Sequence, residues 1–259
     1  MAAEIRLADC LDPVAGLASL GDKSVDVVIT DPPYSEHAHT KQVRGVSLPL
    51  AVPVPRNALS ERRELGFKPI SVAGIRAVSG QLARLARRWV LVFCDLESAP
   101  IWAWALASNV GVLDYVRTML WHRIGSAPQF SGDRPAVSDE AIVLAHPPGR
   151  KRWNGGGRGG CYPFAIEHAQ RRHSTQKPLG LMQALVRDFS DPGELILDPF
   201  AGSGTTGVAA ITLGRNFLGW ERDPRWQALA TRRLRRTREQ LELAIPVRRP
   251  RPRQVRLPL

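Results

Sequence analysis

Two short stretches of the chain carry residues whose types and spacing could do chemistry. The first, Phe200-Ala201-Gly202-Ser203-Gly204, follows the apolar run Glu194-Leu195-Ile196-Leu197 and precedes a helix predicted to begin near Thr205. Its glycines let the backbone turn sharply and approach a ligand closely, and free N–H groups at a helix start favour negative charge. This stretch, the glycine loop, therefore predicts a cofactor site.

A carboxylate follows the glycine loop at an informative distance. Glu221 ends the apolar run of residues 216–220, about 20 residues further on, where nucleotide-binding folds place the acid that holds ribose hydroxyls. Taken alone, these features describe a nicotinamide-dependent Rossmann dehydrogenase equally well.

The second stretch, Asp31-Pro32-Pro33-Tyr34, separates these alternatives. It follows a β-rich run, residues 25–30, and open α/β sheets keep their active residues at the carboxyl ends of strands. An acidic side chain, a carbonyl fixed by two prolines and an aromatic ring form a compact receptor for a planar base with an exocyclic amino group. A dehydrogenase has no use for such a receptor.

Together the two stretches resemble the signatures of S-adenosylmethionine-dependent amino-methyltransferases of DNA, which are a D/N/S-P-P-Y/F tetrapeptide and an F-x-G-x-G loop. The segment from His173 to Pro178 also resembles the H-x-T-Q-K-P segment of that family. The tetrapeptide precedes the glycine loop, and the sequence-reading region lies between them, which is the motif order of the beta class. The resemblance spans the chain to about residue 243.

This resemblance implies a Rossmann-like class I methyltransferase fold of the α/β class with a circularly permuted motif order. We expect a mostly parallel sheet of about seven strands with an antiparallel edge and helices on both faces. Periodicity and apolar runs predict strands at 5–10, 25–30, 89–94, 115–121, 140–145, 194–197 and 216–220, and helices at 11–20, 72–88, 100–109, 174–190, 205–213 and 224–244. We expect Trp89, Trp102, Trp104 and Trp121 to lie in the core.

The resemblance also implies roles for individual residues. Asp31, Pro32, Pro33 and Tyr34 would form the catalytic tetrapeptide. The cofactor S-adenosylmethionine would contact Asp9, Cys10, Asp31, His173, Thr175, Gln176, Lys177, Asp198, Pro199, Phe200, Ala201, Gly202, Ser203, Gly204, Thr205, Thr206, Glu221, Arg222 and Asp223. Three of these have structural alternatives: Asp9 and Asp223 as helix caps, and Lys177 as a solvent-exposed lysine beside a cap.

Charge points to the partner. The chain has 36 Lys and Arg against 24 Asp and Glu, a net charge of +12, which favours a polyanion such as DNA. We expect one methyltransferase domain over 1–243, with a mobile loop near 36–70, a small target-recognition region near 124–172, and a basic tail at 244–259. The predicted DNA contacts are Arg123, Arg134, Lys151, Arg152, Trp153, Asn154 and Arg158, although a flexible basic loop without base contacts is the alternative.

Other classes fit poorly. No apolar run approaches the roughly 18 residues of a spanning helix, and no secretory signal is recognisable, so a cytoplasmic protein without a membrane partner is expected. Cys10, Cys94 and Cys161 lack any zinc spacing and are expected to be reduced thiols. His37 and His39 have no further ligands near them in the sequence, so no metal is expected.

The predicted activity is methyl transfer from S-adenosylmethionine to adenine N6 in double-stranded DNA, with the target base flipped out of the helix. The D-P-P-Y form favours adenine over cytosine N4. Alternatives are a cytosine-N4 enzyme, a methyltransferase of RNA or of a protein amide, and a DNA-binding relative without catalysis. A homodimer and a cognate restriction endonuclease are possible partners.

Overall fold

The computed structural model describes residues 1–34, 69–126, 128, 133, 135–166 and 176–244. Eight strands form one sheet in the described chain: β1 (Ala3–Leu7), β2 (Val27–Thr30), β3 (Val90–Cys94), β4 (Asp114–Ile124), β5 (Asp139–His146), β6 (Cys161–Ala165), β7 (Leu195–Asp198) and β8 (Asn216–Glu221). Their order is β1-β8-β7-β2-β3-β5-β4-β6. Only β5 runs against its neighbours, β3 and β4, so the sheet is mostly parallel, as predicted.

Five α-helices within the same described ranges cover the two faces of the sheet: α1 (Val72–Leu85), α2 (Ala99–Ala107), α3 (Leu179–Phe189), α4 (Thr205–Thr212) and α5 (Pro224–Ala244). Helices α1 and α2 share one apolar cluster with the sheet, whereas α3, α4 and α5 share another on the opposite face. The central strands β2, β3, β5 and β7 are buried along most of their length because both sides of the sheet are covered. The three-layer α/β architecture expected from the sequence is confirmed.

The predicted helix at 72–88 is real but ends earlier. Ser71 caps its start by accepting a hydrogen bond from the Gly74 N–H, and Ile75, Val78, Leu82 and Leu85 form the buried stripe. It ends at Leu85 because the next N–H groups bond elsewhere: Arg87 donates to the carbonyl of Val25, and Arg88 to that of Asp26. This pairing aligns β3 beside β2.

Two local predictions were wrong. Residues 11–20 form turns and a short 3-10 helix at Leu17–Ser19, because the side chains of Asp9 and Asp12 accept the N–H groups that an α-helix would use. Helix α3 starts at Leu179, with Pro178 before it instead of inside its first turn. The ring of Pro178 disfavours the helical conformation at the residue before it, Lys177, so the helix does not begin there.

The sheet also has an eighth strand that the sequence did not predict. Strand β6 pairs in parallel with β4 and lies inside the region near 124–172 that is expected to be the small target-recognition region. Its sequence, Cys-Tyr-Pro-Phe-Ala, contains Pro163, which is tolerated because β6 is an edge strand.

Trp89, Trp102 and Trp121 are buried as expected, but Trp104 is 53% exposed. It lies on the outer side of α2, where the guanidinium of Arg76 stacks 5.4 Å from its ring centroid. The loop expected near 36–70 lies mostly outside the described residues, as does the tail beyond residue 244.

Candidate active site

The two predicted motifs meet at the carboxyl edge of the sheet. Strands β2 and β7 are hydrogen-bonded neighbours, so the tetrapeptide after β2 and the glycine loop after β7 leave the sheet side by side. A buried hydrogen bond of 2.8 Å ties them, donated by the Thr30 hydroxyl to the Asp198 carboxylate. Residues 167 apart in sequence, Asp31 and Asp198, therefore flank one site.

Asp198 organises the glycine loop. Its carboxylate also accepts from the Thr206 hydroxyl at 2.6 Å and from the Phe200 N–H at 3.0 Å. Burial raises the pKa of Asp198 to about 6, against the lowering effect of these donors. Both oxygens are thus used inside the protein, and they fix the start of the loop and the first turn of α4.

The glycine loop has a backbone that other residues would strain. Gly202 and Gly204 have φ angles of +51° and +78°, in the left-handed region. A Cβ on Gly204 would stand 2.9 Å from the Cβ of Ala230 on α5, so the loop also lies tightly against that helix.

Glu221 faces the same loop from the end of β8. Its carboxylate accepts from the Gly202 N–H at 3.0 Å and from the Asp223 N–H at 2.8 Å. Burial raises its pKa despite these bonds. Asp223 caps the start of α5 by accepting from the Arg225 N–H at 2.8 Å, the structural alternative that the sequence left open. Asp9 likewise caps a turn, accepting from the Leu11 N–H at 2.9 Å.

The residues present fit a nucleoside-type cofactor. The loop offers a glycine-lined turn at a helix start, and Glu221 is partly exposed beside it, with lone pairs beyond the two that its N–H donors use. Gln176 lies close, its side-chain oxygen 3.4 Å from the Ser203 hydroxyl. Cys10 is buried near the end of β1, and burial raises the pKa of its thiol to about 12. His173 and Thr175 lie outside the described residues.

Asp31 stands in a different environment, which we call the lysine cluster: Asp31, Tyr34, Arg123, Glu140 and Lys177. The Lys177 ammonium donates to Asp31 Oδ2 at 2.6 Å and to the Tyr34 hydroxyl at 2.9 Å, and lies 3.2 Å from Glu140 Oε2. The Tyr34 hydroxyl in turn donates to Glu140. Arg123 Nη1 lies 3.3 Å from the other Glu140 oxygen.

Lys177 is enclosed by aromatic rings as well as by carboxylates. Its Nζ lies 5.1 Å from the ring centroid of Tyr34, 5.0 Å from that of Phe93 and 5.8 Å from that of Trp121. Only 6% of its side chain is exposed. An ammonium in such a box is stabilised by the ring faces and by its ion pairs, which together offset the cost of removing it from water.

Burial and neighbouring charge set the titration of the cluster. Burial raises the pKa of Asp31, while Lys177 opposes that rise and Glu140 adds to it. Burial would also raise the pKa of Glu140, but Lys177, Tyr34 and Arg123 outweigh it and lower that pKa. The two carboxylates raise the pKa of Lys177 despite its burial. Burial raises the pKa of Tyr34, so its hydroxyl stays protonated.

Two buried polar atoms of the cluster, Arg123 Nε and Asp31 Oδ1, have no partner among the described residues, and the carboxylate oxygen is the acceptor of the two. Asp31 Oδ1 is buried and accepts no hydrogen bond within the described protein, although the other oxygen of the same carboxylate binds Lys177. A buried carboxylate oxygen without a donor is costly, and such atoms in native structures commonly mark a ligand position. The arrangement can therefore take an N–H donor at Oδ1.

Glu140 is a site residue that the sequence reasoning missed. It was predicted only as the start of an apolar strand. The antiparallel direction of β5 could have indicated its position. Because β5 runs against β3, its first residues lie at the edge where β2 and β3 end, and Ala141 pairs there with Cys94. A charged residue just before such a pairing lies at the active edge.

The predicted DNA contacts mostly have partners inside the protein. Arg123 bonds Glu140 and the Val137 carbonyl, and Arg158 pairs with Asp188 at 2.6 Å. The Asn154 amide donates to the carbonyls of Arg187 and Ser190 at the end of α3, and Trp153 packs near Phe189. Arg152 pairs with Asp191, Lys151 is exposed, and Arg134 lies outside the described residues. DNA contact by these residues stays a prediction.

Comparison with known proteins agrees with this geometry. Residues 147–232 match the family model described as DNA methylase. The chain is 46% identical over 67 residues to the type II methyltransferase M2.MboI of Moraxella bovis, covering 26% of this chain and 24% of that protein. It is 45% identical over 69 residues to M.HinfI of Haemophilus influenzae, covering 27% and 19%. These matches span about a quarter or less of the relatives' length.

Solved structures extend the likeness to the whole fold. The M1.HpyAVI complex with S-adenosylmethionine superimposes with a TM-score of 0.64 at 24% identity, over 90% of this chain and all of that one. The cytosine-N4-specific PvuII DNA methyltransferase gives a TM-score of 0.64 at 14% identity, over 90% and 86%. The fold is that of the class I methyltransferases. Residues 147–232 of the chain are similar to the N6/N4 DNA methylases, as the motifs predicted.

Two negative findings apply to the described ranges. None of the helices there is both long and apolar enough to cross a membrane. Within the same ranges no three His, Cys, Asp or Glu side chains gather as a metal site would require.

Proposed function

We propose that this protein transfers a methyl group from S-adenosylmethionine to an exocyclic amino group of a base in double-stranded DNA. One observation carries the proposal: the unpartnered Oδ1 of Asp31 lies at the end of β2, joined through Thr30 and Asp198 to the glycine loop at the end of β7. An acceptor for an amino N–H thus stands beside a cofactor-type loop. The similarity to DNA methylases over 147–232 supports the same assignment.

The reaction needs the amino group to be positioned and made more nucleophilic. S-adenosylmethionine, when bound, supplies an electrophilic methyl group on a sulfonium sulfur. Asp31 Oδ1 accepts one N–H of the amino group and the Pro32 carbonyl accepts the other, which draws the nitrogen lone pair out of conjugation with the ring. Tyr34 stacks on the flipped base. The nitrogen loses one proton in the overall transfer, and the Asp31 carboxylate is the acceptor within reach.

The glycine loop, Glu221 and Gln176 hold the cofactor in this proposal. Gly202 and Gly204 bring the backbone close, and Glu221 accepts the ribose hydroxyls. His173, Thr175, Asp9, Cys10 and Lys177 remain predicted contacts on the basis of the motif resemblance.

Adenine N6 is the proposed target, on the strength of the D-P-P-Y form of the tetrapeptide. Cytosine N4 is the second candidate, favoured by the structural likeness to a cytosine-N4-specific enzyme. Both bases present an amino group beside a ring nitrogen acceptor, so the receptor chemistry is shared.

The test is to incubate the purified protein with S-adenosylmethionine and unmethylated duplex DNA, digest the DNA to nucleosides, and identify products by mass spectrometry. We expect N6-methyladenine, and none with Asp31→Ala. N4-methylcytosine would keep the mechanism and correct the base. If several DNA sources give no methylated nucleoside while the protein binds the cofactor, the DNA assignment is wrong.

A further inference from the structure

The lysine cluster contains charged groups that the mechanism above does not use. Glu140 and Arg123 lie on β5 and β4, outside both sequence motifs, and yet they complete the surroundings of Asp31. The cluster holds two carboxylates and two cations, so its charges balance when all four groups are ionised. Such balance is needed because an uncompensated buried charge is costly.

The contacts of Lys177 indicate which of its partners fixes the position of the ammonium. Its ammonium reaches three oxygens, on Asp31, Tyr34 and Glu140. Two of these belong to the tetrapeptide, which follows the end of β2 and has no strand pairing of its own. The third belongs to a strand paired on both sides, with β3 and with β4. Glu140 is therefore the rigid anchor that fixes where the ammonium stands.

We propose that Glu140 and Lys177 are a positioning pair for methyl transfer: Glu140 holds Lys177, and Lys177 holds Asp31 by Oδ2, so that Oδ1 faces the substrate amino group. This inference rests on the proposed function. It gives Lys177 a role toward the catalytic carboxylate, in addition to the cofactor contact predicted from the sequence.

The geometry explains why a lysine suits this place. A carboxylate that is free to rotate presents either oxygen, whereas an ammonium bound to one oxygen leaves the other for substrate. The same ammonium lowers the pKa of Asp31 against the effect of burial, and so favours the ionised carboxylate that accepts an N–H. Glu140, a like charge, acts on Asp31 in the opposite sense, so the two partners have opposite electrostatic effects on one group.

The groups that face Asp31 come from several elements. They are Lys177 before α3, Glu140 on β5, Tyr34 in the tetrapeptide, Asp198 at the end of β7 and Cys94 at the end of β3. The pKa of Cys94 is raised, mainly by burial, so its thiol is neutral. Lys177 is thus the cation that opposes the carboxylates around Asp31.

Opposite signs make a sharp test. Replacing Lys177 by Met removes a lowering influence, so the pKa of Asp31 should rise and the acidic limb of the pH–kcat profile should move to higher pH. Replacing Glu140 by Gln removes a raising influence, so the limb should move to lower pH. We expect the plateau kcat to fall by about 100-fold in Lys177→Met and roughly 10-fold in Glu140→Gln, because both loosen Asp31.

The readout that needs no cofactor is the titration of the Asp31 carboxyl carbon, followed by NMR in the free protein. Glu194→Gln is the matched control, since Glu194 also pairs with an arginine, Arg88, but lies before β7 at the far end of that strand. It should leave both the Asp31 titration and the pH–kcat profile unchanged. If Lys177→Met does not fold, the double variant with Glu140→Gln replaces it, compared with Glu140→Gln alone.

The outcomes separate the inference from the proposed function. A lower plateau kcat in both variants, with the Asp31 titration shifted in opposite directions, supports the positioning pair. If the wild-type protein methylates DNA but Glu140→Gln keeps the wild-type plateau kcat, the pair is overturned and the function stands. If the wild-type protein methylates no DNA, the proposed function itself is wrong, whatever the pKa of Asp31.

Discussion

Asp198 and Asp31 mark the ends of neighbouring strands, yet the protein treats the two carboxylates differently. Asp198 is held by neutral donors, the hydroxyls of Thr30 and Thr206 and the Phe200 N–H, and both of its oxygens are occupied. Asp31 is held at one oxygen by the Lys177 ammonium, and its other oxygen has no partner. A carboxylate whose acceptors are filled within the fold shapes the backbone, whereas one with a free acceptor is available to substrate.

The largest expected effect comes from changing the free carboxylate. Asp31→Asn should lower kcat by roughly 10³-fold or more, because an amide is a weaker acceptor and no proton acceptor. Its free energy of unfolding should fall as well, because Lys177 loses the charge of its partner at Oδ2 and an uncompensated buried charge is costly. Single-turnover methylation and urea unfolding measure the two quantities. If Asp198→Asn, saturated with cofactor, lowered kcat as strongly as Asp31→Asn does, the contrast between the two carboxylates would be lost.

This contrast separates what the sequence could predict from what it could not. The tetrapeptide and the glycine loop are local patterns, and the order of strands that places them side by side follows from the rules of parallel sheets. The position of Asp31 and the start of α4 at Thr205 were therefore predictable. The role of Asp198 as the link between the motifs depends on Thr30, on a distant strand, and no local pattern encodes it.

Non-local contacts also explain the errors beyond β3. Glu140 reaches the active edge only because β5 reverses direction, and strand β6 forms only because β4 offers it an edge. DNA contact by Asn154 and Arg158 stays a prediction, but the sequence did not indicate their partners within the fold, which lie at the end of α3 about 30 residues further along the chain. Residue type predicts what a side chain can bind, and only the fold shows what it does bind.

Replacing Asp198 by alanine should lower the free energy of unfolding more than replacing it by asparagine does. Asp198→Ala leaves two hydroxyls and one N–H without their buried acceptor, so we expect the free energy of unfolding to fall by about 3 kcal/mol. Asp198→Asn keeps part of the acceptor and should lose about half of that. Urea unfolding gives both values, and calorimetric titration with S-adenosylmethionine should show weaker binding in each. An Asp198→Ala protein as stable as the wild type would remove its organising role.

The pH dependence of stability should carry the signature of Asp198. Its pKa is raised by burial to about 6, from 3.8, so the folded state binds its proton more tightly than the unfolded state does. Stability from this group is therefore fully present below pH 3.8 and is lost as the pH rises through about 6. The difference in unfolding free energy between wild type and Asp198→Asn should change by about 2 kcal/mol from pH 4 to pH 7.

Comparison with Asp198→Asn cancels the other titrating groups, because Asp31 and Glu140 are present in both proteins. A difference that does not vary over this pH interval would show that Asp198 titrates at its ordinary value. A difference of the opposite sign would show that the hydroxyl donors outweigh burial.

The smallest expected effects concern the predicted DNA contacts. The same distinction applies there, between side chains whose hydrogen bonds are made within the fold and side chains that are exposed. Asn154 is occupied within the fold by the carbonyls of Arg187 and Ser190, whereas Lys151, three residues earlier, is exposed. Asn154→Ala should lower the free energy of unfolding by about 1 kcal/mol and leave DNA affinity unchanged. Lys151→Ala should do the reverse, and reduce the salt dependence of DNA binding by about one counterion. Fluorescence anisotropy over a range of salt concentrations measures both. If Asn154→Ala loses DNA affinity without losing stability, the expectation is wrong. The Asn154 amide would then exchange its hydrogen bonds at the end of α3 for hydrogen bonds to DNA when the complex forms.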